Sequence, residues 1–368
     1  MTDYTITRIT TPNGHLLAEL DTFESLSYTR VVNAVTTLDM VIGGHALPWS
    51  YLRPDNRIEV WYSTDGINFY LDTDTTWIIR YPRKRISGRG ARSYDVQAYC
   101  ATTLIDGPIV AYAADSEYAD KYGPLDDMMK HIIRENLGSL TTDSTREIAN
   151  LIIEADQGNA PTDRKAFAWR NVLNTLQEIA QTSEQQGTPL FFDVVYEDKS
   201  FVFRTYTERR GLDHRWPGGV SPVQIGPEFG NLVDIEIGID ARNERNAVYC
   251  GGRGEEDSRN IVTLVDSDAV NSSTYARREQ FVDARMYKPG VDITPEARAA
   301  LEAGRRRTTF RGKLLDTENS RYGLHWRWGD ELTATVDDDV IDCRADAVSV
   351  QIQNGRRTVE TWLKGNVR

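Results

Sequence analysis

The 368-residue sequence predicts a mainly β protein of the α+β class, with two related small β-barrel domains and an α/β domain between them. Three observations carry this. Short runs rich in β-branched and aromatic residues occupy roughly the first hundred residues and return in the last third of the chain. Helical periodicity is concentrated in the stretch between them. One passage of hairpin-like text is written twice, as Leu52-Arg53-Pro54-Asp55-Asn56-Arg57-Ile58-Glu59-Val60-Trp61 and as Trp326-Arg327-Trp328-Gly329-Asp330-Glu331-Leu332-Thr333-Ala334-Thr335. A single core stops growing beyond about 250–300 residues, so several units are required. The boundaries expected are 1–107 for the first barrel, 108–225 for the α/β unit with its connector, and 226–368 for the second barrel with one inserted helix.

In the first unit the strand candidates are Leu16 to Leu20, Ser25 to Tyr28, Leu38 to Ile42, Arg57 to Tyr62, Trp77 to Tyr81 and Tyr94 to Tyr99. Pro12-Asn13-Gly14 and Asp65-Gly66 supply turn chemistry between them. Leu125, Met128, Met129, Ile132, Ile133 and Leu137 then fall at i, i+3, i+4, i+7, i+8 and i+12, one apolar stripe with Pro124 in front and Gly138 behind. A second helix is expected from about Arg164 to Gln186, capped by Thr162 or Asp163 and stopped by Gly187. Leu190 to Tyr196 and Phe201 to Tyr206 form a hairpin turning at Glu197-Asp198-Lys199-Ser200. Trp216-Pro217-Gly218-Gly219 to Pro227 is a connector.

Strand text resumes with Val233 to Ile239, Asn246 to Cys250, Ile261 to Leu264, Glu331 to Val336, Ala347 to Ile352 and Thr358 to Leu363. A helix interrupts it, with Thr294 as N-cap, Pro295 at its first position and a body running to about Arg307. Arg305-Arg306-Arg307 is expected to be its solvated, dipole-complementing end.

Aligning Asn56 with Asp330 puts Ile58 on Leu332 and Val60 on Ala334. Further on, Trp77-Ile78-Ile79-Arg80-Tyr81 parallels Val348-Ser349-Val350-Gln351-Ile352, and Val96-Gln97-Ala98-Tyr99 parallels Val359-Glu360-Thr361-Trp362. A weaker echo pairs Asn33-Ala34-Val35 with Asn246-Ala247-Val248. The ordered series points to duplication of a β-module.

Composition narrows the chemistry. With 40% hydrophobic and 27% charged residues the chain can fill cores and is not a disordered polymer. Cys100, Cys250 and Cys343 form no CxxC or Cys/His cluster and are expected to be buried in strands. No apolar run is long enough to span a membrane, and no leader pattern opens the sequence. A net charge of −12 argues against a general or sequence-specific nucleic-acid-binding surface. His15, His45, His131, His214 and His325 lie in no metal-binding spacing, and no GxSxG elbow occurs, so no catalytic, cofactor or metal residue is assigned. Gly251-Gly252-Arg253-Gly254 lacks phosphate-loop spacing and is expected to be a mobile surface loop leading to Glu255-Glu256-Asp257. Asp337-Asp338-Asp339 is either a solvated hairpin tip or a calcium-binding turn.

The one local charge anomaly runs from Arg80 to Arg92, with six basic residues in an acidic protein. Arg83, Lys84, Arg85 and Arg89 are the candidate contact residues, in a loop that either docks on an acidic neighbour or is a flexible tip.

Several strings in their order resemble a family. They are Phe23-Glu24-Ser25-Leu26-Ser27-Tyr28-Thr29-Arg30 leading into Leu38-Asp39-Met40-Val41-Ile42, Leu52 to Val60, and Tyr94 to Leu104 in the first unit. In the last unit they are Asn246-Ala247-Val248-Tyr249, Tyr275-Ala276-Arg277-Arg278-Glu279 and Trp328-Gly329-Asp330-Glu331-Leu332-Thr333. The chain is similar to the tail hub, or tail-associated, proteins of long-tailed phages, which share a fold with contractile-phage baseplate hubs and type VI secretion spikes. The family often has glycine where this chain has Ala276. The resemblance implies tail-tube-like barrels and a non-enzymatic homotrimer at the virion tail tip, made in the host cytoplasm, whose six barrels form a pseudo-six-fold ring around the DNA channel. Implied partners are the distal tail protein, the tape measure protein and a tail-tip spike or fibre protein. It also implies a minimal form lacking a C-terminal hydrolase or fibre extension. A tail-tip carbohydrate-active enzyme using an Asp/Glu pair, or a carbohydrate-binding adhesin, are the alternatives.

Overall fold

The computed structural model describes residues 4–111, 119–254, 259–285, 292–353 and 355–367. Seven strands come first: β1 (Tyr4–Thr10), β2 (Leu16–Leu20), β3 (Ser25–Val31), β4 (Thr37–Gly43), β5 (Arg57–Ser63), β6 (Tyr70–Ile86) and β7 (Arg92–Cys100). Strict alternation builds β3 and β4. Leu26, Tyr28 and Arg30 of β3 and Leu38, Met40 and Ile42 of β4 point inward at every second position. The middle of the chain holds β8 (Ala119–Pro124), α1 (Leu125–Leu137), β9 (Leu151–Ile153), β10 (Thr162–Phe167), α2 (Val172–Gln185), β11 (Leu190–Glu197) and β12 (Ser200–Thr207). The last third contains β13 (Leu232–Asp240), β14 (Ala247–Gly251), β15 (Ile261–Val265), α3 (Ser267–Asn271), β16 (Glu279–Asp283), α4 (Thr294–Ala303), β17 (Arg307–Leu315), β18 (Glu331–Val336), β19 (Asp339–Gln353) and β20 (Arg356–Val367).

Mainly β is therefore the observed class. The first and last thirds are fused into one 12-stranded sheet, in the order β13-β17-β20-β19-β3-β4-β7-β6-β5-β1-β2 with β18 also on β19. They meet through antiparallel β3 and β19, where Thr29 faces Ser349. One hydrophobic cluster runs through both, from Ile9 and Trp77 to Trp326 and Leu363. A second cluster packs α1 and α2 on β11 and β12, and a small third one lies between α4 and β14.

The duplication is visible in this sheet. The order β5-β6-β7-β4-β3 is repeated as β18-β19-β20-β17-β13. Ile58 and Leu332 take equivalent places, opposite Trp77 and Cys343 respectively. Both long strands then carry an irregularity at the same step, between Ile79 and Tyr81 and between Ala345 and Ala347.

These registers correct two of the expected parallels. Trp77–Tyr81 matches Cys343–Ala347, not Val348–Ile352, and Val96–Tyr99 matches Thr361–Lys364, not Val359–Trp362. Strand text shows which residues alternate but not where a strand begins, so a slip is invisible until pairing fixes it. The Asn33 and Asn246 echo lies in equivalent connections that are built differently. Residues 32–36 join β3 to β4, whereas residues 241–306, which include β14–β16 and α4, join β13 to β17.

Two of the three expected helices have other bounds than expected. α1 matches its expected span, with Asp126 and Asp127 in its first turn and Gly138 after its last. α2 starts at Val172, capped by the Asn171 side chain, which accepts from the Asn174 N–H at 3.0 Å. Residues 162–167 form β10 paired with β8, and Trp169 follows with φ +54°, so neither Thr162 nor Asp163 is the cap. Thr294 is the first helical residue of α4, after Ile293, and the helix ends at Ala303 before Gly304. The three arginines are exposed, as expected, but lie beyond the helix and not in its last turn. Arg305 pairs with Asp266 and Glu302, Arg306 with Glu244, and Arg307 opens β17.

All three cysteines are buried, at the end of β7 and within β14 and β19. Gly251 and Gly252 are buried too, their carbonyls accepting from the Arg259 guanidinium at 3.1 and 3.0 Å, so this end of the expected loop is fixed. Glu255, Glu256 and Asp257 lie outside the described residues.

Candidate functional site: the basic hairpin and the repeat junction

Arg83, Lys84 and Arg85 lie in β6, with Asp95, Tyr94 and Ser93 of β7 facing them; only Arg89 is in a turn. The expected basic loop is thus mostly paired strand. The hairpin extends because β6 and β7 stay in register from Tyr81 to Ile86, and it closes where Gly90, at φ +80°, donates to the Ser87 carbonyl at 2.9 Å. Arg83 and Arg85 reach Asp95 at 3.7 and 2.5 Å, and the Arg83 guanidinium lies 4.9 Å from the Tyr81 ring centre. Arg83, Lys84, Arg85 and Arg89 are all exposed, so these pairs leave a net positive tip.

At the Arg30 end of β3 the structure brings together charged residues far apart in sequence. The Arg30 guanidinium donates to both oxygens of Asp193 in β11 at 2.8 Å. Arg210 reaches Asp193 at 3.0 Å and Asp74 at 3.2 Å, and Thr102 donates to Asp193 at 3.2 Å. Trp328, beside the second hairpin corner, packs against both guanidiniums, with ring centroid distances of 4.5 Å from Arg30 and 4.2 Å from Arg210. Burial pushes the Asp193 carboxyl up, but the two arginines outweigh it and hold it below its usual range.

A second buried group ties the halves across the core. Tyr28 and Tyr322 both donate to Asp72, Tyr322 at 2.7 Å, and Arg357 lies 3.7 Å from Asp72 and 3.7 Å from the Tyr62 ring centre. Burial raises the Tyr28 and Tyr322 hydroxyls well above their ordinary value, so both are donors at neutral pH. Sequence carried one signal for the Asp193 group: Arg30 stands on the same inward phase as Leu26 and Tyr28. A charge on an apolar phase demands a buried partner.

A cleft of about 1550 Å³ opens beside the junction. Arg209, Arg306, Arg344, Glu331 and Asp342 are among its walls, so its charges largely offset one another. Burial raises the Glu331 carboxyl against the pull of Arg344, while hydrogen bonds from Arg215 hold nearby Asp213 well below the usual carboxylate range. His214 is buried, with Nδ1 against the Val220 carbonyl and Nε2 3.5 Å from Asp330. Asp337 and Asp338 are the exposed two-residue turn between β18 and β19, Asp337 at φ +52°. Among the described residues no group of three His, Cys, Asp or Glu side chains is placed to hold a metal ion. No helix among them is long and apolar enough to cross a membrane.

A mainly β chain with a duplicated strand order and an inserted α/β unit has the fold of phage tail proteins. It is similar to the prophage tail protein gp18 of Listeria monocytogenes EGD-e, with 13% identity, 99% of this chain and 94% of that one covered, and a TM-score of 0.56. It is likewise similar to the tail protein of Neisseria meningitidis MC58, with 13% identity, 99% and 97% coverage, and a TM-score of 0.54. A chain of the lidless PdpA–VgrG complex matches at 8% identity over all of this chain and 65% of that one, with a TM-score of 0.51. No curated protein matches the sequence significantly. Residues 6–362 match the model of the Siphovirus ReqiPepy6 Gp37-like proteins, and the chain belongs to that family.

Proposed function

We propose that this phage tail protein is the structural hub of a tail tip. Three copies form a ring, each contributing two equivalent strand sets, so that a three-fold assembly presents six similar faces to a six-fold tail. The units 1–107, 108–225 and 226–368 are its building blocks. The ring joins the hexameric distal tail protein to a three-fold spike or fibre and surrounds the DNA channel, next to the tape measure protein. The observation that carries this reading is the repeated order β5-β6-β7-β4-β3 and β18-β19-β20-β17-β13 within one sheet. A net charge of −12 per subunit suits a channel lining to which DNA does not adhere.

The test is the mass of the purified protein by sedimentation, with electron microscopy of the particle. A three-fold ring with six similar lobes supports the hub; a stable monomer that never enters tails opposes it. The end of the basic tip, Lys84, Arg85 and Arg89, is proposed to meet an acidic face of an adjoining ring. Reversing the charge of Lys84 and Arg89 together should then block tail assembly without unfolding the chain, and unchanged assembly would reject that contact.

A second reading rests on the cleft. Glu331, with its raised carboxyl, and Asp342 both line it, and cleavage of a glycan uses two carboxyl groups. Carbohydrate turnover by the purified chain, lost in Glu331→Gln, would favour it.

A further inference from the structure

The junction between the repeats is itself a template. Strand β3 of the first repeat lies antiparallel on residues 347–353 of β19, just beyond the irregularity at Asp346. The residues of β6 equivalent to these are 81–86, just beyond the matching irregularity at Arg80. Among the described residues they pair with β7 on one side and with no strand on the other. The strand equivalent to β3 is β13, which pairs with β17 and likewise has no strand on its other side. One chain therefore holds both halves of a second junction, and leaves both open.

We infer that β13 of one copy adds to the free edge of β6 in a second copy, in the register that β3 uses on β19; this rests on the ring reading above. Pairing through the sheet fixes the register. Lys313 faces Val233 as Asp39 faces Ser27, and carrying the ladder past the β13 irregularity places Glu236 where Thr29 stands. Arg83 is the equivalent of Ser349, the residue opposite Thr29. The contact thus sets Arg83 across from Glu236, an opposite-charge pair that stabilises a cross-strand contact. Both edges also expose large apolar side chains, Tyr81 and Ile86 on β6 and Ile237 and Ile239 on β13. Free edges with exposed apolar residues are the surfaces on which strand addition occurs. Pro82 has no N–H to give, so the ladder lacks one rung at most.

Cross-linking tests this with an internal control. In the structure the Thr29 and Ser349 hydroxyls are 3.2 Å apart, so Thr29→Cys/Ser349→Cys should close a disulfide within one chain. Arg83→Cys/Glu236→Cys should instead link chains into covalent dimers and trimers under oxidation. Mixing the two single variants should give dimers only. If sedimentation shows an oligomer and the control bond forms, but no bond forms between residues 83 and 236, the edge pairing is overturned and the ring survives. A chain that remains monomeric at every concentration overturns both.

Discussion

Asn56 and Asp330, 274 positions apart, make the same backbone contacts. The Asn56 carbonyl accepts from Ile79 N at 2.8 Å and the Asp330 carbonyl from Ala345 N at 2.9 Å. Each also donates to an arginine carbonyl at 3.2 Å, Arg53 and Arg327 respectively. The residue before each has positive φ, 72° at Asp55 and 87° at Gly329. Their side chains have diverged. Asn56 donates once, to the Tyr51 carbonyl at 2.8 Å, whereas the Asp330 carboxylate accepts from Leu212 N at 2.7 Å and Arg327 N at 2.6 Å. The second corner therefore also fastens the connector after β12.

That divergence predicts unequal costs. Asn56→Ala removes one hydrogen bond and should destabilise by about 1 kcal/mol. Asp330→Ala strands two backbone donors at a buried position and should cost about 3 kcal/mol. Urea midpoints of the two variants at unchanged slope would measure the difference, and equal shifts would contradict it.

The Arg30–Asp193–Arg210 group predicts a pH-dependent penalty. Asp193 has a depressed carboxyl in the fold, so its stabilisation is present above the unfolded value of about 3.9 and is lost as pH falls through the folded value. Asp193→Asn mimics the protonated form and leaves two buried guanidiniums facing a neutral partner. It should cost about 3–5 kcal/mol at pH 7, and the gap from the parent protein should narrow only below about pH 4. A gap independent of pH down to 2 would place the stabilisation elsewhere.

At Ala276 the chain holds φ at +60°, the left-handed region where a Cβ is penalised by about 1–2 kcal/mol. A glycine at this place, as the sequence resemblance implies for the family, would carry no such penalty. Ala276→Gly should raise stability by about 1 kcal/mol, less what glycine's freer unfolded chain takes back. A lower melting temperature in the variant would show that Ala276 makes contacts that outweigh its strain.

The sequence made some elements legible and hid others for identifiable reasons. Glu331–Val336 and the Leu190–Thr207 hairpin stood out because alternation and turn residues agreed; Asp198 and Lys199 do take positive φ in the turn. β17 was missed because Arg307-Thr308-Thr309-Phe310-Arg311-Gly312-Lys313 offers few apolar residues; only Phe310 and Gly312 are buried among them. Arg164-Lys165-Ala166 favours helix by local propensity, and the pairing of β10 with β8 that overrides it is a tertiary effect. Of the candidate site, the charge of the basic tip was readable, but its strand pairing was not. The buried Arg30 and Asp193 lie 163 positions apart, and nothing local in either announces the other.

The two repeats also predict opposite tolerance at one equivalent position. Trp77 faces Cys100 across β6 and β7, and Cys343 faces Gly365 across β19 and β20. A Cβ built on Gly365 would lie 2.1 Å from the Asp342 carbonyl oxygen and 2.7 Å from the Cys343 Cα, both backbone atoms. No rotamer relieves such a clash, so the strands would have to part. Gly365→Ala should destabilise by about 3 kcal/mol, at the upper end for overpacking. Cys100→Ala removes a sulfur that accepts from Thr36 N at 3.3 Å, without any clash, and should cost about 1–2 kcal/mol. Denaturant titration of both variants would test this, and a tolerated Gly365→Ala would mean that β19 and β20 are further apart at this rung than the structure has them.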